Sequence, residues 1–255
     1  MTHHSNLEKG LSILEARLGN SRHPYPDDYF NECRPFITIS RETSAGATTL
    51  GHLLLPLLER RLGEPGREWI LLDKDLLNRV LATQHLPQRL AAFLPEDKIS
   101  EIKAVIGELV GLHPPLWQLE QQVAEAIRQF AEIGRAIFVG RGAQLVTRSL
   151  PGGFHVRLVA SLQARVERTA ALLKCDRATA EAHVLRNDSA RDRYVKMHFA
   201  EDIGDPHLYD IVINTDQIPT AAAAPLVAQL LAEKMARVAP RPASTPPLGM
   251  KDAAD

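Results

Sequence analysis

Phe36-Ile37-Thr38-Ile39-Ser40, Arg41-Glu42-Thr43-Ser44-Ala45-Gly46-Ala47-Thr48-Thr49 and the apolar run Leu50 to Leu62 follow one another, and their reading decides the fold. The first five residues are β-prone and predict a short buried strand. The small polar residues after them predict a loop. Leu50, Leu53, Leu54, Leu57, Leu58 and Leu62 then recur at three- and four-residue steps, the spacing of one stripe on a helix. A strand, a small-residue loop and a helix in that order aim free backbone N–H groups and a helix N-terminus at one point, which is an anion site.

The loop matches the phosphate-loop pattern G-x-x-x-x-G-K-[ST] in part. Arg41 stands at the first glycine, Gly46 keeps the second, Ala47 replaces the lysine and Thr48 keeps the hydroxyl. Taken alone, the segment fits phosphate binding and an ordinary strand-to-helix turn equally.

Outward from it, short apolar runs alternate with helical ones. Trp69-Ile70-Leu71-Leu72 predicts a second strand ending at Asp73, and Ala136-Ile137-Phe138-Val139 a third, ending in Gly140-Arg141-Gly142. Phe154 to Val159 predicts a fourth strand and Tyr209 to Asn214 a fifth. Helices are expected over Glu120 to Ile133, after a Ser161 cap, after an Asp176 cap, and over Ala221 to Met235. The alternation predicts a parallel sheet covered on both faces, with ligands beyond the carboxyl ends of its strands. Residues 1–34 read as a short amphipathic helix and a linker, 35–237 as the main domain, and 238–255 as a disordered tail rich in Pro, Ala and Ser. Within the main domain, 85–117 reads as a helical insertion broken by prolines.

The chain has 255 residues, 45% of them hydrophobic and 24% charged, enough for one sizeable core. A net charge of -1 offers no global basic field for nucleic acid or a membrane surface. Cys33 and Cys175 form no metal or disulfide spacing, and no apolar signal core or membrane span is present; a cytoplasmic protein is expected.

Arg141 between two glycines at a strand end combines a backbone that turns close to a ligand with a planar fork matched to phosphate oxygens. Arg165, Arg168, Arg186, Arg191 and Arg193 lie on two successive helices; they suit closure over a polyphosphate, or salt bridges with Glu167, Asp188 and Asp192. Asp73 fits a helix cap or a carboxylate near Mg²⁺, and Arg79 a solvated face or a ligand contact.

Together, Ile37-Thr38-Ile39-Ser40-Arg41-Glu42, Leu72-Asp73-Lys74-Asp75, Val139-Gly140-Arg141-Gly142-Ala143 and Leu208 to Thr215 resemble, in order and spacing, the cytidylate kinase-like branch of the cytidylate kinase family, over Phe36 to Leu231. The resemblance implies a P-loop nucleoside-monophosphate kinase fold: a three-layer α/β/α arrangement with a five-stranded parallel sheet, a helical monophosphate-binding insertion and an Arg-rich lid near 161–200. It implies ATP-dependent phosphoryl transfer to a nucleoside monophosphate, CMP or dCMP foremost, with Mg²⁺. By the same resemblance Ser44, Ala45, Gly46, Ala47, Thr48 and Thr49 cradle the ATP phosphates, with Thr48 near Mg²⁺. Asp73, Arg79, Arg141 and Asp188 bind the substrate, and Arg41, Arg186 and Arg191 act in catalysis. Three departures stand out: Ala47 for the loop lysine, Gly142 for an aspartate that helps hold cytosine, and Val139 for an aspartate ending strand three. They leave two other readings open, a nucleotide-binding regulatory protein with reduced catalysis and a kinase for another small acceptor.

Overall fold

The structure is a computed structural model and describes residues 33–63, 68–73 and 116–238. The N-terminal helix and linker, the tail, Arg79, Lys74 and Asp75 lie outside the described residues, as does the insertion up to 115.

Five strands form one parallel sheet in the order β2-β3-β1-β4-β5. They are β1 (Phe36–Arg41), β2 (Ile70–Leu72), β3 (Ala136–Val139), β4 (Gly153–Val159) and β5 (Ile211–Asn214). The helices are α1 (Ala47–Leu62), α2 (Leu116–Ile133), α3 (Ala143–Val146), α4 (Leu162–Leu173), α5 (Arg177–Phe199) and α6 (Thr220–Val238). A 3₁₀ turn at Pro206–Leu208 precedes β5.

Strand alternation divides the core in two. Ile37 and Ile39 of β1, with Ile137, Val139, Val156, Leu158 and Ile213, face the leucine stripe of α1 and the small apolar residues of α6. Leu50, Leu54 and Leu58 are fully buried there, each burial contributing roughly 1.5–3 kcal/mol. Phe36, Ile70, Leu72 and Phe138 face the other way, onto Val123, Ile127 and Phe130 of α2. Thr38 and Ser40 share that second face with Phe36. The side thus grades from apolar to polar toward the carboxyl edge.

Both anticipated caps form: Ser161 Oγ accepts from Ala164 N at 3.3 Å, and Asp176 Oδ1 from Thr179 N at 3.0 Å. Three boundaries differ from expectation. α2 begins at Leu116, so Leu116 and Trp117 belong to it and not to the insertion. β5 begins two residues late because Tyr209 closes the 3₁₀ turn. The closing helix runs on to Val238. No helix among the described residues is long and apolar enough to cross a membrane.

The strand order turns about at β1: β3 and β2 lie on one side, β4 and β5 on the other. A parallel sheet opens a crevice at the carboxyl end of such a strand. The residues after β1 and β3 therefore face it.

Candidate active site

The turn after β1 ends in Gly46, the N-cap of α1, which is left-handed at φ 96 and provides no side-chain cap. The first amides of a helix have no partner within it, so this end of α1 presents N–H donors and the positive end of the helix dipole. Thr48 and Thr49 are exposed on this first turn, and Ala47 is buried.

The stretch just before, Glu42 to Ser44, is tied to the α4–α5 hairpin. Asp188 of α5 accepts from Thr43 N and Thr43 Oγ1, both at 2.7 Å. The same carboxylate pairs with Arg165 through Oδ2 and with Arg191 at 3.0 Å, and Arg191 also donates to Thr43 Oγ1 at 2.7 Å. Arg165, buried, lies 3.3 Å from Glu42 Oε2, which also accepts from Ala160 N at 2.9 Å. Thr169 spends its hydroxyl proton on Arg165 O, so Ser44 donates to Thr169 Oγ1 at 2.7 Å. Arg168 bridges Thr215 and Asp216 at 3.1–3.4 Å and reaches the Ser44 carbonyl at 3.4 Å. Hydrogen bonds from Ser161 hold the Asp216 carboxyl below its ordinary range, and Arg168 and Arg165 add to that.

Beside this loop opens a cleft with an empty volume of about 440 Å³, lined by Ser40, Arg41, Gly140, Arg141, Gly142, Gln144, Arg191, Tyr194, Val195 and Ile203. Three arginines face it, and among the described residues no Asp or Glu is in its lining. Two glycines shape it. A Cβ on Gly140 would sit 2.0 Å from Arg41 Nη1, so the guanidinium of Arg41 rests on bare backbone. A Cβ on Gly142 would sit 2.7 Å from Phe199 Cε2. Between them Arg141 is buried and itself left-handed at φ 59, a conformation a non-glycine residue adopts only where its surroundings hold it.

The family model that matches this sequence is that of the cytidylate kinase-like family, over residues 36–217. The chain belongs to the cytidylate kinase-like family. No curated protein gives a match. Among solved structures, an uncharacterized protein from Eubacterium ventriosum is 18% identical with a TM-score of 0.57, over 78% of this chain and 98% of that one. The shikimate kinase from Acinetobacter baumannii in complex with shikimate is 20% identical with a TM-score of 0.44, over 82% and 98%. A gluconokinase from Sinorhizobium meliloti is 14% identical with a TM-score of 0.42, over 82% and 95%. The first of these supports the fold; the other two are too distant to bear on the acceptor.

In this member of the family, Arg41, Arg141 and Arg191 are brought together in one cleft next to the loop of Ser44 to Thr49. Arg186 is exposed and outside the cleft lining. Asp188, expected to bind the substrate, has both oxygens engaged by Thr43, Arg165 and Arg191, and so clamps α5 to the loop. Asp73 follows β2 at the far side of the sheet and is also outside the cleft lining.

Sequence reasoning passed over Gln144, Tyr194, Tyr209 and Arg157. Arg157 sits under Ser40, donating to Ser40 Oγ at 3.0 Å, with its guanidinium 5.6 Å from the centre of the Tyr209 ring. The signal was present: a lone arginine inside the apolar run Val156-Arg157-Leu158 of a buried strand.

Proposed function

We propose that the protein transfers a phosphoryl group from ATP to a nucleoside monophosphate, with CMP and dCMP the first candidates. One observation carries the reading: beyond the carboxyl end of β1 lie an α1 N-terminus without a side-chain cap and a cleft lined by three arginines and, among the described residues, no carboxylate. The ATP phosphates suit the backbone amides of Ser44 and of Gly46 to Thr49, where α1 has no side-chain cap; Ala45 N already donates to Glu42 O at 3.2 Å. The exposed hydroxyl of Thr48 is the side chain suited to Mg²⁺, an ion that keeps most of its shell in water and phosphate oxygens. When bound, that ion supplies neutralisation of phosphate charge.

The remaining roles belong to the chain itself. Arg41, Arg141 and Arg191 bind and orient the acceptor phosphate, and Val195 and Ile203 exclude water from one wall. The acceptor oxygen is already ionised, so in-line attack requires neither a general base nor a covalent intermediate. Asp188 holds Arg191 and Thr43 in register across the junction of loop and cleft. Losing the loop lysine to Ala47 removes about 3 kcal/mol of transition-state stabilisation, roughly a hundredfold in rate, and leaves the transfer possible.

The contact of Phe199 with Gly142 favours a second reading within the same chemistry. An aspartate at 142 would meet that ring, so a carboxylate reading cytosine has no room there. This points to an acceptor recognised chiefly by its anionic group. Turnover with Mg-ATP over a panel of nucleoside monophosphates and non-nucleotide phosphate or carboxylate acceptors separates the two readings. Product from CMP or dCMP supports the first, product only from a non-nucleotide acceptor supports the second, and no product from any acceptor removes both.

A further inference from the structure

Among the described residues, Arg157 is a buried cation without a carboxylate partner. It is 8% exposed, and its partners among the described residues are the Ser40 hydroxyl and the face of Tyr209. Buried charges are ordinarily paired, because desolvation costs more than one aromatic contact or one neutral hydrogen bond returns. Arg165, similarly buried, follows that rule with Glu42 and Asp188.

The proton arrangement around Ser40 gives the exception a direction. Arg157 donates to Ser40 Oγ, and Tyr209 donates its single proton to the Ile203 carbonyl at 2.8 Å, 3.2 Å from the same Ser40 oxygen. With its acceptor side engaged by the guanidinium, the Ser40 hydroxyl is left as a donor: Tyr209 Oη, its own proton spent on Ile203, accepts from it at 3.2 Å, and a ligand oxygen in the cleft that Ser40 lines would compete for the same proton.

We propose that Arg157 is a positioning residue for the acceptor, fixing the Ser40 hydroxyl as a donor to the acceptor's phosphate group and placing a positive charge beneath the cleft floor. This rests on the cleft being the acceptor site. It adds a device that no motif in the sequence marks.

The test is a titration of the full-length protein with inorganic phosphate at constant ionic strength, followed by backbone amide chemical shifts. Gly140 and Gly142 report the cleft, and Gly46 reports the loop. In the wild type the cleft amides titrate. Arg157→Met raises the cleft dissociation constant tenfold or more and leaves the Gly46 response unchanged, while Arg157→Lys, which keeps the charge, stays within about threefold of wild type. Ser40→Ala, which leaves the guanidinium in place, loses affinity to a similar degree and serves if Arg157→Met does not fold. Wild-type cleft amides that ignore phosphate overturn the proposal, as does equal titration in wild type and in Arg157→Met, or in Ser40→Ala. A lack of product in the acceptor panel with this titration intact would instead remove the transfer reaction and leave the phosphate site standing.

Discussion

Two strand-to-helix turns stand side by side at the edge of the sheet, after β1 and after β3, and each holds a non-glycine residue at positive φ, Ser44 in one and Arg141 in the other. Around the first, arginines are matched by carboxylates: Arg165 with Glu42 and Asp188, Arg191 with Asp188, Arg168 with Asp216. Around the second, the cleft lining holds arginines and no acid, and Arg157 below it has only neutral partners among the described residues. One residue type thus serves two ends. On the first side the guanidinium groups fasten the α4–α5 hairpin to the loop after β1; on the second they line the cleft. Arg191 belongs to both sets and joins them.

Breaking the matched side gives the largest expected effect. Asp188→Ala leaves the buried Arg165 with Glu42 as its one carboxylate and takes the acceptor from Thr43 N, so that Arg191 and Val184 remain the contacts of Thr43 with α5. Removing one partner of a buried pair costs about 3–5 kcal/mol, so urea unfolding of this variant shifts by that amount. A loss below about 1 kcal/mol would mean that the hairpin does not depend on this clamp. On the unmatched side the effect moves from stability to turnover. Arg141→Asn keeps a residue that tolerates φ 59 and removes the fork. We expect kcat/KM for the accepted acceptor to fall about a hundredfold, close to 2.7 kcal/mol, with unfolding free energy changed by less than about 1 kcal/mol. The opposite split, stability lost and turnover kept, would assign Arg141 to the frame.

The legibility of the two sides differs for the same reason. Strand and helix positions were readable because Ile37, Ile39, Ile137 and the α1 leucines carry their period in sequence, and the caps Ser161 and Asp176 announce their helices by type. Arg41, Arg141 and Arg191 could be named from their place after strands or on a polar helix face. Their convergence depended on strand order. What no local pattern carries is pairing across 100 or more positions: Asp188 with Thr43, or Arg157 with Ser40, is set by which elements the sheet brings together. Asp188 read in two ways, as a salt-bridge partner of the helix arginines and, through the resemblance, as a substrate ligand; the structure places it in salt bridges with Arg165 and Arg191. Arg157 read as a strand residue because the neighbouring Ser40 was invisible until β1 and β4 were paired in register.

A third prediction tests whether the ground beneath the cleft is dry, on which the contrast between Arg157 and the carboxylate-paired arginines relies. His155 lies two residues before Arg157 on the same face of β4, hydrogen-bonded to Thr38 Oγ1 at 2.8 Å. Burial is the main cause that lowers its pKa to about 4; Asp210 opposes the shift and Lys234 assists it. A folded pKa below the unfolded value near 6.5 means that the unfolded chain takes the proton first, so stability declines as pH falls from about 6.5 to 4. Allowing for the partial exposure of the ring, the contribution is about 2 kcal/mol. Unfolding measured between pH 7 and 4 in wild type and His155→Gln should differ in slope over that window. Coincident curves would show a hydrated column, and with it a solvated Arg157.

The smallest expected effect bears on burial itself. Arg168 is as fully partnered as Arg165, contacting Ser44, Thr215 and Asp216, yet its side chain is 40% exposed whereas that of Arg165 is 8% exposed. Exposed pairs are screened by water and contribute about 0–1 kcal/mol. Arg168→Ala should therefore lower unfolding stability by no more than about 1 kcal/mol in the absence of nucleotide, and added salt should reduce even that difference. Should Arg168→Ala cost as much as Asp188→Ala, the number of partners and not their desolvation would be what fastens the hairpin. Arg157, a charge too deeply buried to stand unmatched, would then have no energetic reason to differ from the other arginines.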